Sequence, residues 1–380
     1  MRVGLNATCF NDRPSGARQR FVGLYSALIR QCADIRFTIY EPSDCAVARW
    51  FDGAPNVTAI RTPMPSGSRL RRSVGGINYW RKRLSEDRID LFETFNLPLP
   101  ATGNCPVIVT IHDIRSMLPD QRWPQRGLAR AIHRQALRRA SAVLTVSETM
   151  RQDLLAIDPE SRVIAIPNGL KADAFAAQAG DDERVRRLCL PDDYLLAVGH
   201  FEPRKNYRRL VEAVGRLRTT HPERSLVIVG NDGGSLSDLR TAVGELGMAD
   251  AVQLRQNVAD DELRLIYRNA RLVLFPSTYE GFGIPVLEAM AAGRPLVVSD
   301  LPVFRELIGP RGAYFPPQDV TNMADAVAAV LASPERQRQL VDDGRQRVRD
   351  FTFDRLASEV EAVYREVLTQ RRASTNWGRS

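Results

Sequence analysis

Short runs of branched apolar residues alternate with stretches of helical periodicity along most of this 380-residue chain. Runs at 3–6, 37–40, 57–60, 91–93, 107–111, 142–146 and 163–166 fit strands, with helical patterns such as 18–32 and 127–139 between them. A second series follows at 194–198, 226–229, 252–254, 272–275 and 296–298. A run without polar alternation fits a strand buried on both faces, and strand–helix alternation implies a parallel sheet covered by helices. The chain is too long for one ordinary core, so the expected class is α/β with two Rossmann-like, doubly wound domains. Pro167-Asn168-Gly169 closes the first series, and the small, polar stretch 172–182 reads as a hinge. The expected domains are 1–185 and 186–353, with a helix over 354–370 packing back on the first and a disordered 371–380. Ligands of open α/β sheets bind beyond the strand carboxyl ends, so two such sheets facing each other imply a central cleft as the site. Neither half carries Gly-x-Gly-x-x-Gly, so NAD and FAD are not expected.

Residues 280–298 carry the most chemistry. Leu272-Val-Leu-Phe275 ends in Pro276-Ser277, then Glu280-Gly281-Phe282-Gly283-Ile284-Pro285 opens a helix containing Glu288. Gly281 and Gly283 let a ligand approach the backbone, and Pro285 suits a first helical turn. Two turns are about 7.2 residues, so Glu288 returns near the face that starts the helix. Free N–H groups at that start favour an anion such as phosphate, while Glu280 accepts from neutral hydroxyls. A phosphate beside a polyol describes a nucleotide sugar. An isolated Glu pair would read as a surface turn and an ordinary helix residue; the glycines, the proline and the small-residue helix argue otherwise.

This segment resembles the signature of the retaining family 4 glycosyltransferases of GT-B architecture, in which two Glu residues are separated by seven others. The bacterial mannosyl- and hexosyltransferase type is the nearest in character. Glu202-Pro-Arg204-Lys205-Asn206, after the strand 194–198, is similar to that family's diphosphate-binding turn. Taken alone, Arg204-Lys205 reads equally as a solvated basic turn or as a clamp, Arg bidentate and Lys a point charge. Many relatives carry Arg where this chain has His200. Pro14-Ser15-Gly16 is similar to the family's glycine loop, where Gly16 admits a phosphate. His112, in Thr110-Ile111-His112-Asp113, stands where the family has a His close to the donor sugar.

The resemblance implies Glu280, His112, Arg204 and Lys205 as catalytic residues. Gly16, Arg204, Lys205, Phe282, Gly283, Ile284 and Glu288 would bind the donor. The implied reaction moves a hexose, with mannose from GDP-mannose preferred, onto a saccharide or lipid-linked acceptor for a cell-surface polysaccharide or glycolipid. Retention would follow front-face attack. No Asp-x-Asp triplet occurs, so neither a metal nor any cofactor is expected. The alternative is a non-catalytic sugar-nucleotide binder or membrane scaffold.

The net charge of +8 is uneven: residues 1–187 hold 28 Lys and Arg against 19 Asp and Glu, and the rest is nearly balanced. A basic half implies an anionic partner there. The acid-free run from Arg69 to Arg83 sets Arg71, Arg72, Arg81, Lys82 and Arg83 beside Ile77, Tyr79 and Trp80. It reads as a basic loop contacting an anionic membrane or the acceptor. No motif supports nucleic acid. With no signal peptide, no spanning segment and five scattered cysteines expected to be reduced and mostly buried, a cytoplasmic protein peripheral on the inner membrane face is expected.

Overall fold

In the computed structural model, which describes residues 1–13, 15–118 and 123–377, the apolar runs form two wholly parallel sheets. The first unit comprises Met1–Gly169 and Phe353–Ser380, the second Leu170–Thr352. Sheet one contains β1 (Arg2–Asn6), β2 (Arg36–Glu41), β3 (Val57–Arg61), β4 (Leu91–Thr94), β5 (Val107–Ile111), β6 (Ala142–Thr145) and β7 (Val163–Ala165), in spatial order β3-β2-β1-β4-β5-β6-β7. Its helices are α1 (Gly16–Gln31), α2 (Arg69–Glu86), α3 (Trp123–Arg139) and α4 (Glu148–Leu155).

The second unit adds α5 (Asp181–Arg187), β8 (Tyr194–Val198), α6 (Tyr207–Leu217), β9 (Ser225–Val229), α7 (Leu236–Glu245), β10 (Val252–Arg255), α8 (Asp260–Asn269) and β11 (Leu272–Phe275). It continues with α9 (Ile284–Ala291), β12 (Leu296–Ser299), α10 (Pro302–Ile308), β13 (Ala313–Phe315), α11 (Val320–Ala332) and α12 (Pro334–Val348). The order is β10-β9-β8-β11-β12-β13. The central strands are fully buried because helices cover both faces, which is why their sequences lack alternation. The short strand β13 has too few apolar residues to stand out in the sequence.

Three expectations change. Residues 170–185, which include the hinge-like stretch 172–182, group with the second unit rather than the first; there Asp181 pairs with Arg264 (2.6 Å) and Arg268 of α8. The tail is not disordered from residue 371: α13 (Phe353–Trp377) runs on to Trp377, and only 378–380 lie outside the described residues. The basic run is not a loop but α2, capped by Ser68, whose hydroxyl accepts from Arg71 N (3.3 Å).

In the first unit, α13 lies against α1, and Phe353, Leu356, Val360 and Tyr364 enter the core of sheet one. Fully buried Glu93 of β4 accepts from Thr110 (2.7 Å) and from the Tyr364 hydroxyl. Burial pushes its carboxyl above the usual range despite those donors.

Candidate active site

In the second sheet the strand order reverses between β8 and β11, which places a switch point where two neighbouring strands send their chains to opposite faces. The turns leaving these strands carry the predicted residues of this unit. Gly199 ends β8 at φ +149°, and a Cβ there would sit 2.7 Å from Lys205 Cε. Glycine is needed because the lysine side chain lies across the backbone at that point. Asn206 takes a left-handed conformation and donates to Pro276 O (3.0 Å) and Pro317 O (2.7 Å). Thr278 N donates to Arg204 O (2.8 Å). The turn after β8 is thus fastened to the turn after β11.

Glu280 is the centre of that junction. Its Oε1 accepts from Lys205 Nζ (2.7 Å) and Ser277 Oγ (2.8 Å), and its Oε2 from Arg204 Nη1 (2.8 Å). Arg204 Nε also donates to Glu202 (2.6 Å). These side chains are largely enclosed: Glu280 is 11% exposed and Lys205 8%. Burial would push the Glu280 carboxyl up, but Lys205 and Arg204 outweigh it and hold the group down at about 2. Two cations therefore sit balanced by carboxylates, an arrangement that avoids leaving a buried charge unpaired.

Eight residues on, Glu288 is half-buried in α9 and accepts from the Tyr267 hydroxyl (2.9 Å). Gly283 caps α9 at φ +110°, where a Cβ would meet Phe304 at 2.9 Å. Phe282 is buried edge-on against Phe351 (centroids 5.9 Å apart), so only its backbone is available to a ligand. Ile284 is half-buried at the helix start. His200 is exposed, and its Nδ1 accepts from Asn231 N (3.3 Å). Ser277 and Tyr267 were not expected from the sequence, and Glu202 stood in the recognised turn without an assigned role. Ser277 and Tyr267 read as ordinary strand-end and helix residues until pairing brings them to the two glutamates.

In the first unit, Gly16 is exposed at the start of α1, where Ser15 accepts from Arg18 N (3.2 Å); Pro14 lies outside the described residues. His112 follows β5, and its Nε2 is enclosed without a hydrogen-bond partner among the described residues. Burial and the charge of Arg20 lower its ring to about 4, against a smaller opposing pull from Asp113. The ring is neutral at ordinary pH. Arg20, which the sequence did not single out, donates to Pro167 O and to Asn168 Oδ1 (3.3 Å).

The basic segment is corrected in one respect. Trp80 is 2% exposed, packed edge-on against Tyr40 and beside Phe92, so it is a core residue and not a surface contact. Arg72 donates to Pro65 O (3.3 Å), Arg83 pairs with Asp87 (2.8 Å) and Lys82 with Glu86 (3.8 Å). Arg71 and Arg81 are exposed, whereas the side chains of Arg69 and Ile77 lie outside the described residues. Of the five cysteines, only Cys32 and Cys45 are buried, fewer than expected.

Residues 182–347 match the family Glycosyl transferases group 1, and residues 14–174 match Glycosyltransferase Family 4. The chain is 30% identical over 285 residues to the MMP alpha-(1->4)-mannosyltransferase of Mycolicibacterium hassiacum, covering 70% of this chain and 66% of that protein. It is 28% identical over 311 residues to the O-antigen chain mannosyltransferase RfbU of Salmonella typhimurium, covering 80% and 82%. In fold it is similar to sucrose-phosphate synthase from Thermosynechococcus elongatus (TM-score 0.75, 19% identity, 97% and 99% covered). It is also similar to the Anabaena protein HepE in complex with UDP and glucose (TM-score 0.74, 18% identity, 96% and 100% covered).

Proposed function

Because the chain belongs to the family 4 glycosyltransferases and has their two-sheet α/β fold, we propose that it is a retaining mannosyltransferase using GDP-mannose. Its acceptor in this reading is a saccharide or lipid-linked saccharide on the way to a cell-surface polymer. The observation that carries the reading is Glu280 held between Arg204 and Lys205 at the switch point of the second sheet. The mannose preference is supported by the two relatives named above, both mannosyltransferases. A nucleotide-sugar donor is supported by the UDP and glucose bound to the Anabaena protein.

In this reading the donor diphosphate competes with Glu280 for the two cations. A diphosphate offers more charge than one carboxylate, so Arg204 and Lys205 turn to it, and Glu280 is released to accept from sugar hydroxyls. The amides of Phe282–Ile284 meet the donor at the start of α9, and Glu288 takes the ribose hydroxyls. In the first unit, neutral His112 offers a ligand the open hydrogen-bonding position of its Nε2, and Gly16 leaves the start of α1 accessible to a phosphate oxygen. The acceptor oxygen attacks the anomeric carbon from the side the diphosphate leaves. As the bond from that carbon to phosphate oxygen breaks, the acceptor proton passes to the leaving phosphate. Arg204 and Lys205 stabilise the charge that develops there, the task a metal ion performs in other transferases.

A thermal-shift series with GDP-mannose, GDP-fucose, UDP-glucose and free GDP tests the donor, since a ligand of the folded state raises the melting temperature. GDP-mannose should stabilise most, and Lys205→Ala should remove most of that shift. If UDP-glucose stabilises while the GDP sugars do nothing, the mannose assignment fails. If no nucleotide sugar acts and none releases nucleotide with any acceptor, the enzymatic reading fails as well.

A further inference from the structure

We propose that the outward face of α3 docks on an anionic phospholipid bilayer. Residues 121–147 contain no Asp or Glu. Arginines at 126, 130, 134 and 138 recur every four residues, so they form one ridge along the helix. His133, Ala136 and Leu137 are the side that packs on the first unit. Away from that side stand Trp123, 80% exposed, and Leu128, 64% exposed, about 140° apart around the helix and so flanking its outward surface. Among the described residues only one other large hydrophobic side chain, Leu246, is exposed, at 38%. Two of three such side chains on a single basic helix are not scattered surface residues.

The ridge is anchored at one end and open at the other. Arg134 and Arg138 reach Asp158 (3.8 and 2.9 Å). For Arg126, Arg130 and Arg139 no carboxylate partner occurs among the described residues. An interfacial helix needs this combination: an indole at headgroup depth, an aliphatic side chain inserted below it, and guanidiniums reaching lipid phosphates on extended stems. A nucleic-acid strand would stack on Trp123 but would leave Leu128 without a role. The α2 helix exposes cations but no large apolar side chain among the described residues. Its Trp80 and Leu84 point into the core, and its exposed side includes Glu86. The proposal is independent of the donor: it stands or falls on lipid binding, whatever sugar is transferred.

The test is co-sedimentation of the full chain with vesicles of phosphatidylcholine alone or mixed with phosphatidylglycerol. The protein should pellet with the anionic vesicles at low salt, remain free with the neutral ones, and be released as salt rises. Arg126→Ser/Arg130→Ser/Arg139→Ser should lower partitioning on the order of a hundredfold, from about fivefold per cation near the leaflet. Trp123→Ser/Leu128→Ser should lower it even at low salt. Neither variant touches the Arg138–Asp158 pair, and unchanged circular dichroism verifies that each is folded. Arg71→Ser/Arg81→Ser/Lys82→Ser, on α2, should pellet as the wild type does. The proposal is overturned if the wild type ignores anionic vesicles, if the α2 variant loses binding while the α3 variants keep it, or if single-stranded nucleic acid is bound more tightly than the vesicles.

Discussion

Glu280 and His112 are both enclosed, yet their titrations move for different reasons and predict different behaviour. Glu280 is held at about 2 against an ordinary 4.5, so its ion pairs add stability above about pH 4.5. That contribution fades as pH falls from about 4.5 toward 2, and amounts to about 3 kcal/mol. Glu280→Gln leaves Lys205 buried without its carboxylate and should cost about 3–5 kcal/mol at neutral pH. Urea unfolding of wild type and variant at neutral pH and near pH 3 checks this: the gap should narrow in acid. A gap that is constant with pH would mean the carboxylate contributes by shape and not by charge. His112 is lowered to about 4, so the unfolded chain takes up a proton first and stability drops as pH falls from about 6.5 toward 4. In turnover, a neutral ring gives no inflection between about pH 6 and 7. An inflection there that disappears in His112→Ala would contradict the neutral role.

At the scale of elements, two glycines on helices of the first unit face opposite environments. A Cβ on Gly23 of α1 would lie 2.1 Å from Phe353 Cζ, while one on Gly127 of α3 meets nothing within 4 Å. Gly23→Ala must displace Phe353 from the α1–α13 contact and should cost about 1–3 kcal/mol. Gly127→Ala should instead stabilise by about 0.5–1 kcal/mol, because alanine loses less freedom on entering a helix. Opposite signs of the two melting-temperature changes are the expected result, and equal signs would remove the packing argument. The same scale explains why α2 looked like a loop. Its inward residues, Gly76, Trp80 and Leu84, recur every four positions behind the Ser68 cap. That period is present in the sequence but lies among cations, which give the segment the composition of a solvated loop. Burial of the Trp80 indole, not the charge around it, decides the direction of the helix.

For the whole molecule, the chain leaves the first unit after Gly169 and returns to it at Phe353. The first core therefore requires residues from both ends of the sequence. Ending the chain after Thr352 would strip away Phe353, Leu356, Val360, Val363, Tyr364 and Val367. Each large apolar side chain is worth about 1.5–3 kcal/mol when buried, and a domain's margin is only about 5–15 kcal/mol. The truncated chain should lose the first unit's cooperative transition in calorimetry, and a retained transition would refute the dependence. The sequence alone determined the class of fold, because parallel strands buried on both faces must be written as unbroken apolar runs. It also marked Glu280 and Glu288, because close backbone approach demands glycine and helix starts tolerate proline, whereas Arg204 and Lys205 stood out only through the resemblance of their turn to the family's diphosphate-binding turn. It could not determine that Glu280 is gripped by both cations, that Tyr267 meets Glu288, that Trp80 is core, or that Trp123 is exposed. Those outcomes depend on which strands pair and which helix face turns inward. Contacts between residues 75 positions apart are set by the packing of the whole unit and leave no local trace in the chain.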